Sequence, residues 1–455
     1  AHVHLGTGGR CCNLHSVARI LDLLAFDSSP RTGSLGFRRP MADLARKIAV
    51  MTGTRADYGL LRPLIAELDA ASQGDNPTVD LQLIVTGTHL SVEHGRTIEE
   101  IVRDGYRPAA EVDIWGAEPT KDLLGEEGTA SLTAAVETGE AVAKFSLILN
   151  HLKPDVVVVL GDRLEAFAMA TAATILLIPV AHIHGGELTL GAMDDSLRHS
   201  ITKLSYLHFT TTEEHRTRVL QLGEEPNRVF NFGAPVLDAI NDLKLLSREE
   251  IEHKFGIRFG MKNILMTFHP AAFDVASAKF MIDELLAAME AATSADGNHI
   301  QLIITGTNND IGSDDVRAAI AAFTEAHPDH VSYVESFGQL GYLSVMREVD
   351  VVTGNSSSTV LEAPIFGKAS VLIGNRQEGR PMGAGVIKVD GVESGVFSRN
   401  EILSGLQKAL TPEFKALAAS APSPFGSAGF AKKAAALLTK SDLPSPPKKI
   451  FKDLA

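Results

Sequence analysis

Asp155-Val156-Val157-Val158-Val159-Leu160-Gly161-Asp162-Arg163 is the stretch on which the fold turns. A nearly continuous β-branched run of this length marks a strand covered on both faces, as in a parallel sheet. Gly161-Asp162-Arg163 breaks it with polar residues, and Leu164 to Thr174 then reads as a helix. On either side the rhythm repeats. Lys47–Met51, Leu81–Val85, Pro179–Ile183 and Tyr206–Thr210 read as strands, with helices over Leu60–Ala71, Thr129–Leu152 and Asp194–Leu204. Further on, strands are expected at Ile264–Thr267, Gln301–Thr305, Val331–Val334, Val349–Val352 and Ser370–Ile373, with a helix over Ala276–Ala292. Repeated β-α units predict an α/β protein with parallel sheets and helices on both faces.

The 455 residues suffice for two domains. The expected division is a leader over 1–40, an amino-terminal Rossmann-like domain over 41–235, a carboxy-terminal one over 236–440 and a flexible tail over 441–455. The charged segment Gly233–Met261 is expected to connect the domains. Residues 1–40 hold five arginines and two aspartates without clear periodicity, so they read as disordered, either upstream sequence before a start at Met41 or a transit peptide.

A net charge of −14 argues against nonspecific binding to nucleic acid or an acidic membrane. The cysteines are the adjacent pair Cys11-Cys12, so no disulfide framework is expected. No apolar stretch reaches the roughly 20 residues that span a bilayer. A cytoplasmic location is expected.

Four polar motifs follow strands: Gly53-Thr54-Arg55-Ala56-Asp57-Tyr58-Gly59, Gly161-Asp162-Arg163, His182-Ile183-His184-Gly185-Gly186-Glu187 and Gly354-Asn355-Ser356-Ser357-Ser358. In an open parallel sheet, ligands bind beyond the carboxyl ends of the strands. Motifs in both halves of the chain therefore point to one ligand in a cleft between domains. Arg55, in the first βα loop, offers a guanidinium to a diphosphate. The loop lacks G-x-G-x-x-G, so a dinucleotide cofactor is not expected. Ser356 and Ser357, read as opening a helix, suit phosphate, and Glu362 farther along it suits sugar hydroxyls. Asp162 has two readings, general acid/base or structural partner of Arg163. His184, Glu187 and Asp194 suit acid–base chemistry. Their spacing does not fix a metal, and none is expected. Strand alternation puts His182 on the same face as His184, so one of them can be a core histidine. His269 reaches toward the cleft, Arg376 and Arg380 add positive charge near the serines, and Asn308 lies in a loop suited to a uracil or sugar edge.

These motifs, with Arg198-His199-Ser200-Ile201-Thr202-Lys203 and His269-Pro270, resemble the hydrolysing UDP-N-acetylglucosamine 2-epimerases of sialic acid synthesis, over about Lys47 to Leu438. The resemblance implies a glycosyltransferase-B-like fold of two Rossmann-like domains, no redox cofactor, and conversion of UDP-N-acetylglucosamine and water to UDP and N-acetylmannosamine. Elimination of UDP would leave a glycal-like intermediate that water attacks. By position, Asp162 and Asp194 match catalytic carboxylates of the family. Arg55, His269, Ser356, Ser357, Glu362 and Arg376 match nucleotide-binding positions, with Arg163 and Asn308 beside them. Many relatives carry glutamate where this chain has His184, so the proton transfer falls to His184 or Glu187. A homodimer or homotetramer is implied. Alternatives are a hydrolysing epimerase acting on a UDP-2,4-diacetamido-2,4,6-trideoxyhexose, a non-hydrolysing 2-epimerase, a glycosyltransferase of the same fold, and a UDP-sugar-binding module without catalysis.

Overall fold

A computed structural model of the chain describes residues 45–92, 95–115, 130–189, 193–241, 243–270, 275–294, 300–307, 313–389, 398–444 and 446–453. The first sheet contains β1 (Arg46–Thr52), β2 (Val79–Thr86), β3 (Ala110–Val112), β4 (Val156–Leu160), β5 (Val180–Ile183), β6 (Leu207–Thr210) and β7 (Val229–Asn231). Their order is β3-β2-β1-β4-β5-β6-β7. The second sheet contains β8 (Lys262–Thr267), β9 (Ile300–Thr305), β10 (Val331–Val334), β11 (Val351–Gly354), β12 (Ala369–Ile373) and β13 (Val386–Val389), in the order β10-β9-β8-β11-β12-β13. The pairings in both are parallel. The architecture is thus the expected pair of Rossmann-like α/β domains. Strand order reverses between β1 and β4, and again between β8 and β11. Chains leave such neighbours in opposite directions and open a crevice at their carboxyl ends. Gly53, Gly161, His269 and Asn355 follow those four strands.

The valines of β4 are fully buried, as a strand covered on both faces requires. Leu61, Leu64 and Leu68 of the helix Arg55–Ser72 pack with Val156 and Val158, each side chain contributing about 1.5–3 kcal/mol. That helix begins five residues earlier than expected. Thr54 caps it, its hydroxyl accepting from Asp57 N at 3.1 Å, so Arg55 sits in the first turn and not in a loop. β11 lies two residues beyond the expected Val349–Val352. Val349 caps the preceding helix, and the Asp350 carboxylate is occupied by Asn263 N and Lys415 Nζ.

The end of the chain departs furthest from expectation. The helix Phe430–Lys440, expected in the second domain, packs in the core of the first. Its apolar stripe Phe430, Ala431, Ala434, Ala435 and Leu438 meets Phe209 and the Arg55–Ser72 helix. Asp238 accepts from Ala431 N at 2.6 Å and from Gly429 N, capping its amino end. Arg46 donates to Leu438 O at 2.8 Å and Ser441 O at 2.6 Å. Residues 446–453, expected as a loose tail, are laid along the first domain. Lys449 Nζ donates to Lys203 O, Ser205 O and the Glu224 carboxylate, and Lys452 N donates to Gly223 O at 2.9 Å. Glu224 is buried and needs compensating donors, and Lys449 joins Lys203 and His208 in supplying them.

Candidate active site

Gly161 follows β4 with φ +77°, and Asp162 comes next at the switch point. Its carboxylate pairs with Arg198, one turn past Asp194 on the helix Met193–Leu204, and not with Arg163. Arg163 instead binds Glu165 at 2.7 Å. That buried carboxylate lies directly under Gly53, where a Cβ would approach Glu165 Oε1 to 2.6 Å. The first motif and Gly161-Asp162-Arg163 are therefore packed together.

Arg198 is buried and central. Nη1 donates to His184 O at 3.0 Å, and Nη2 donates to Thr189 Oγ1 at 3.1 Å as well as to Asp162. The Glu187 carboxylate stands 3.8 Å from Nη1. His184 Nδ1 lies 3.4 Å from the other Glu187 oxygen. His182 is the core histidine of the pair, its Nε2 2.7 Å from Gly161 O and its Nδ1 3.2 Å from Thr202 Oγ1. His184 has left the strand, with φ +69°.

In the second sheet, Asn355 braces the loop after β8. Its Oδ1 accepts from His269 N at 2.8 Å, and its Nδ2 donates to His269 O at 2.6 Å. Gln377 Nε2 donates to Asn355 O at 2.9 Å, with Arg376 Nη1 at 3.5 Å from the same oxygen. Ser356 and Ser357 begin a 3₁₀ turn, Ser357–Thr359, and no α-helix follows. The Ser356 hydroxyl is turned to Ser358 N, and a second short turn, Ala363–Phe366, follows Glu362 with Pro364 near its start. Tyr342 pins this loop, its hydroxyl 2.6 Å from Ser358 Oγ and 3.2 Å from Thr267 Oγ1. Glu362 Oε2 is buried without a hydrogen-bond partner among the described residues. Asn308 lies outside the described residues.

The family profile described as UDP-N-acetylglucosamine 2-epimerase matches residues 72–439. The chain belongs to that family. It is 35% identical over 335 residues to a Campylobacter jejuni protein named GDP/UDP-N,N'-diacetylbacillosamine 2-epimerase (hydrolyzing), covering 74% of this chain and 82% of the relative. It is also 35% identical over 381 residues to the Escherichia coli polysialic acid biosynthesis protein P7, covering 84% and 90%. A crystal structure of a UDP-N-acetylglucosamine 2-epimerase homologue from Listeria monocytogenes superposes with TM-score 0.70 at 16% identity, covering 88% of this chain and 99% of that one, which is a likeness of fold. The resemblance drawn from the motifs and the glycosyltransferase-B type of architecture both hold. No described helix is long and apolar enough to cross a membrane.

The sequence motifs of this epimerase-family chain fall into two groups. Asp162, His184, Glu187 and Asp194 gather at the end of the first sheet. His269, Ser356, Ser357, Glu362 and Arg376 gather at the end of the second. Arg55 stands apart, paired with Glu100 at 3.1 Å and largely exposed. Four further residues belong to these groups: Arg198, which opens one of the quoted motifs, Arg380, Thr211 and His215. Arg198 has a signal in the sequence, because Asp194 and Arg198 share a helix face at i, i+4. Arg380 reads in the sequence only as nearby charge, yet it acts on His184 and Glu187 of the first domain and on Glu362 of the second. Thr211 and His215, beside Glu187, carry no such signal.

Environment separates the acids from the bases. Burial alone would raise Glu187, but His184, Arg198, His215 and Arg380 outweigh it and hold the carboxyl down at about 2. Burial, and then the nearby Asp162 charge, push Asp194 up. Burial lowers His184 despite the Glu187 charge. Asp57, in the first turn after Thr54, is pushed up to about 6 by burial, and Glu165 adds to this.

These shifts predict loss of stability in acid. Burial depresses His182 from 6.5 to about 3, and His89 and His215 to about 4, so the unfolded chain takes up protons that the folded chain refuses. Stability then falls as pH drops below 6.5. Glu187 and Glu224, at about 2 in the fold against an ordinary 4.5, contribute stability present above 4.5 and lost toward 2. All five act in one direction, and they outnumber Asp57, which is held up at about 6 against 3.8 and acts the other way between those values. The urea midpoint should decline steadily from pH 7 to pH 4, and a flat midpoint over that range would contradict these assignments.

Proposed function

We propose that the chain is a hydrolysing 2-epimerase that converts UDP-N-acetylglucosamine and water to UDP and N-acetylmannosamine. The observation that carries this reading is the cluster at the β1–β4 switch point, where Arg198 holds Asp162 and His184 O while Glu187 stands 3.4 Å from His184 Nδ1. Arg380 is within electrostatic reach of His184 and Glu187 on one side and Glu362 on the other. UDP would lie over the Gly354–Ser358 loop, its phosphates toward Ser356, Ser357 and Arg376, and its ribose toward the free Glu362 oxygen. The hexosamine would then extend toward Asp162, Asp194 and His184. Elimination needs a base at C2, charge near the departing diphosphate and an acid to return the proton. A neutral His184 suits the base. Asp194, with its raised affinity for protons, suits the acid. Arg163 and Arg198 supply positive charge.

A second reading replaces the substrate with a UDP-2,4-diacetamido-trideoxyhexose. It is favoured by the Campylobacter relative, whose name states diacetylbacillosamine. One experiment separates the readings. The chain is incubated with either sugar nucleotide in deuterium oxide and followed by proton NMR. N-acetylmannosamine deuterated at C2, with free UDP, is the expected outcome. Turnover of the diacetamido sugar alone would select the second reading. Reversible interconversion with UDP still attached would contradict hydrolysis.

A further inference from the structure

Behind Glu187 lies a chain of hydrogen bonds with no free choice of direction. Thr211, at the end of β6, is buried, and its hydroxyl donates to Glu187 Oε1 at 2.9 Å. A hydroxyl has one proton to give. The His215 Nδ1 atom 2.7 Å from the same oxygen must therefore donate to it. His215 is buried in the first turn of the helix Glu213–Gln221, with its own amide held by the capping Thr212 hydroxyl at 3.1 Å. Gly186 lets that helix close in, since a Cβ there would strike His215 O. The Glu187 oxygen that receives Thr211 is also the one 3.4 Å from His184 Nδ1. A carboxylate beside Nδ1 favours the tautomer with the proton on that nitrogen.

The rest of His184 agrees. Its Nε2 is buried and has no hydrogen-bond partner among the described residues. Its backbone is held left-handed at φ +69°, fixed by His184 N to Phe209 O at 3.1 Å and by Arg198 to His184 O at 3.0 Å. A non-glycine residue there is strained, and the surroundings must impose it.

We propose that Thr211 and His215 are positioning residues: they orient Glu187, which holds the His184 proton on Nδ1 and leaves the Nε2 lone pair to carry the substrate proton. This rests on the hydrolytic epimerase reading. In the elimination, the Nε2 lone pair takes the C2 proton. The C2–H electrons become the C1–C2 π bond, and the C1–O bond breaks with its electrons leaving on UDP.

Two measurements test the relay. Nitrogen-15 NMR of histidine-labelled protein, with the signal assigned by His184→Gln, should show His184 protonated at Nδ1 in the wild type. It should show a mixture of tautomers in Thr211→Val. In turnover assays, Thr211→Val should lower kcat about tenfold or more with KM nearly unchanged, while Thr211→Ser restores it. His215→Phe, which keeps a packed ring and loses the N–H, should move kcat the same way. An Nε2-protonated His184 in the wild type, or wild-type kcat in a folded Thr211→Val, would overturn the proposal. The tautomer is read without substrate, so the relay and the reaction assignment fail separately.

Discussion

Asp162→Asn should lower turnover by about 10²- to 10⁴-fold, the usual worth of a positioned proton-transfer system. The substitution is nearly isosteric, so the packing around β4 should survive. What changes is charge. Arg198 loses the carboxylate it grips, and with it the anchor that also orients His184 O and Thr189. Asp194 loses the negative neighbour that helps raise its proton affinity, so it is less often protonated when an acid is needed. UDP affinity should stay within about threefold, because the proposed nucleotide seat is on the other sheet and distant sites act nearly independently. Calorimetry with UDP alongside a turnover assay separates the two effects. A fully active Asp162→Asn would remove Asp162 from the mechanism, and a collapse of UDP binding would relocate the nucleotide.

Gly354→Ala should be the most damaging single substitution for the fold. Gly354 ends β11 with φ +120° and is in register with Thr267 of β8. A Cβ there would fall on the Thr267 carbonyl oxygen, and backbone on a central strand cannot swing away as a side chain can. Strain of about 1–3 kcal/mol adds to overpacking of about 1–3 kcal/mol, a large share of a stability that is typically about 5–15 kcal/mol. Gly256→Ala is the control. Gly256 caps the helix Arg248–Phe255 at φ +67° with open space where a Cβ would go, so the cost should be only the backbone strain of about 1–2 kcal/mol. Urea unfolding of both variants checks this. Equal midpoints would mean that the β8–β11 junction yields more easily than its geometry implies.

Much of the architecture is legible in the residues themselves. The run Val156 to Val159 declares a strand with both faces covered, and the polar residues after each strand mark the crevice. Those signals are local, as is the i, i+4 spacing that puts Asp194 and Arg198 on one helix face. Other features depend on groups that meet only when the sheets form. Nothing local to Asp162 says that its partner is Arg198 and not the adjacent Arg163. Nothing near Glu187 points to Thr211 and His215. The helix expected after Ser356 is absent for a readable reason, since Pro364 and the Ser356 cap favour short turns. Lys449 reads as part of a solvated tail because the buried Glu224 it neutralises is far away in sequence.

The returning helix Phe430–Lys440 also sets an order of events during synthesis. Phe209 stacks on Phe232 at 5.6 Å and meets Phe430 edge-on at 6.1 Å, so the aromatic core of the amino-terminal domain is finished by a helix that follows the second sheet in the chain. Arg46 finds its carbonyl partner at Ser441, 395 positions away. A ribosome that has released the whole first sheet still holds back one wall of its core. The second domain, whose strands end at Val389, can close before the first is sealed. A premature stop just before Phe430 would therefore injure the domain made first and spare the one made after it.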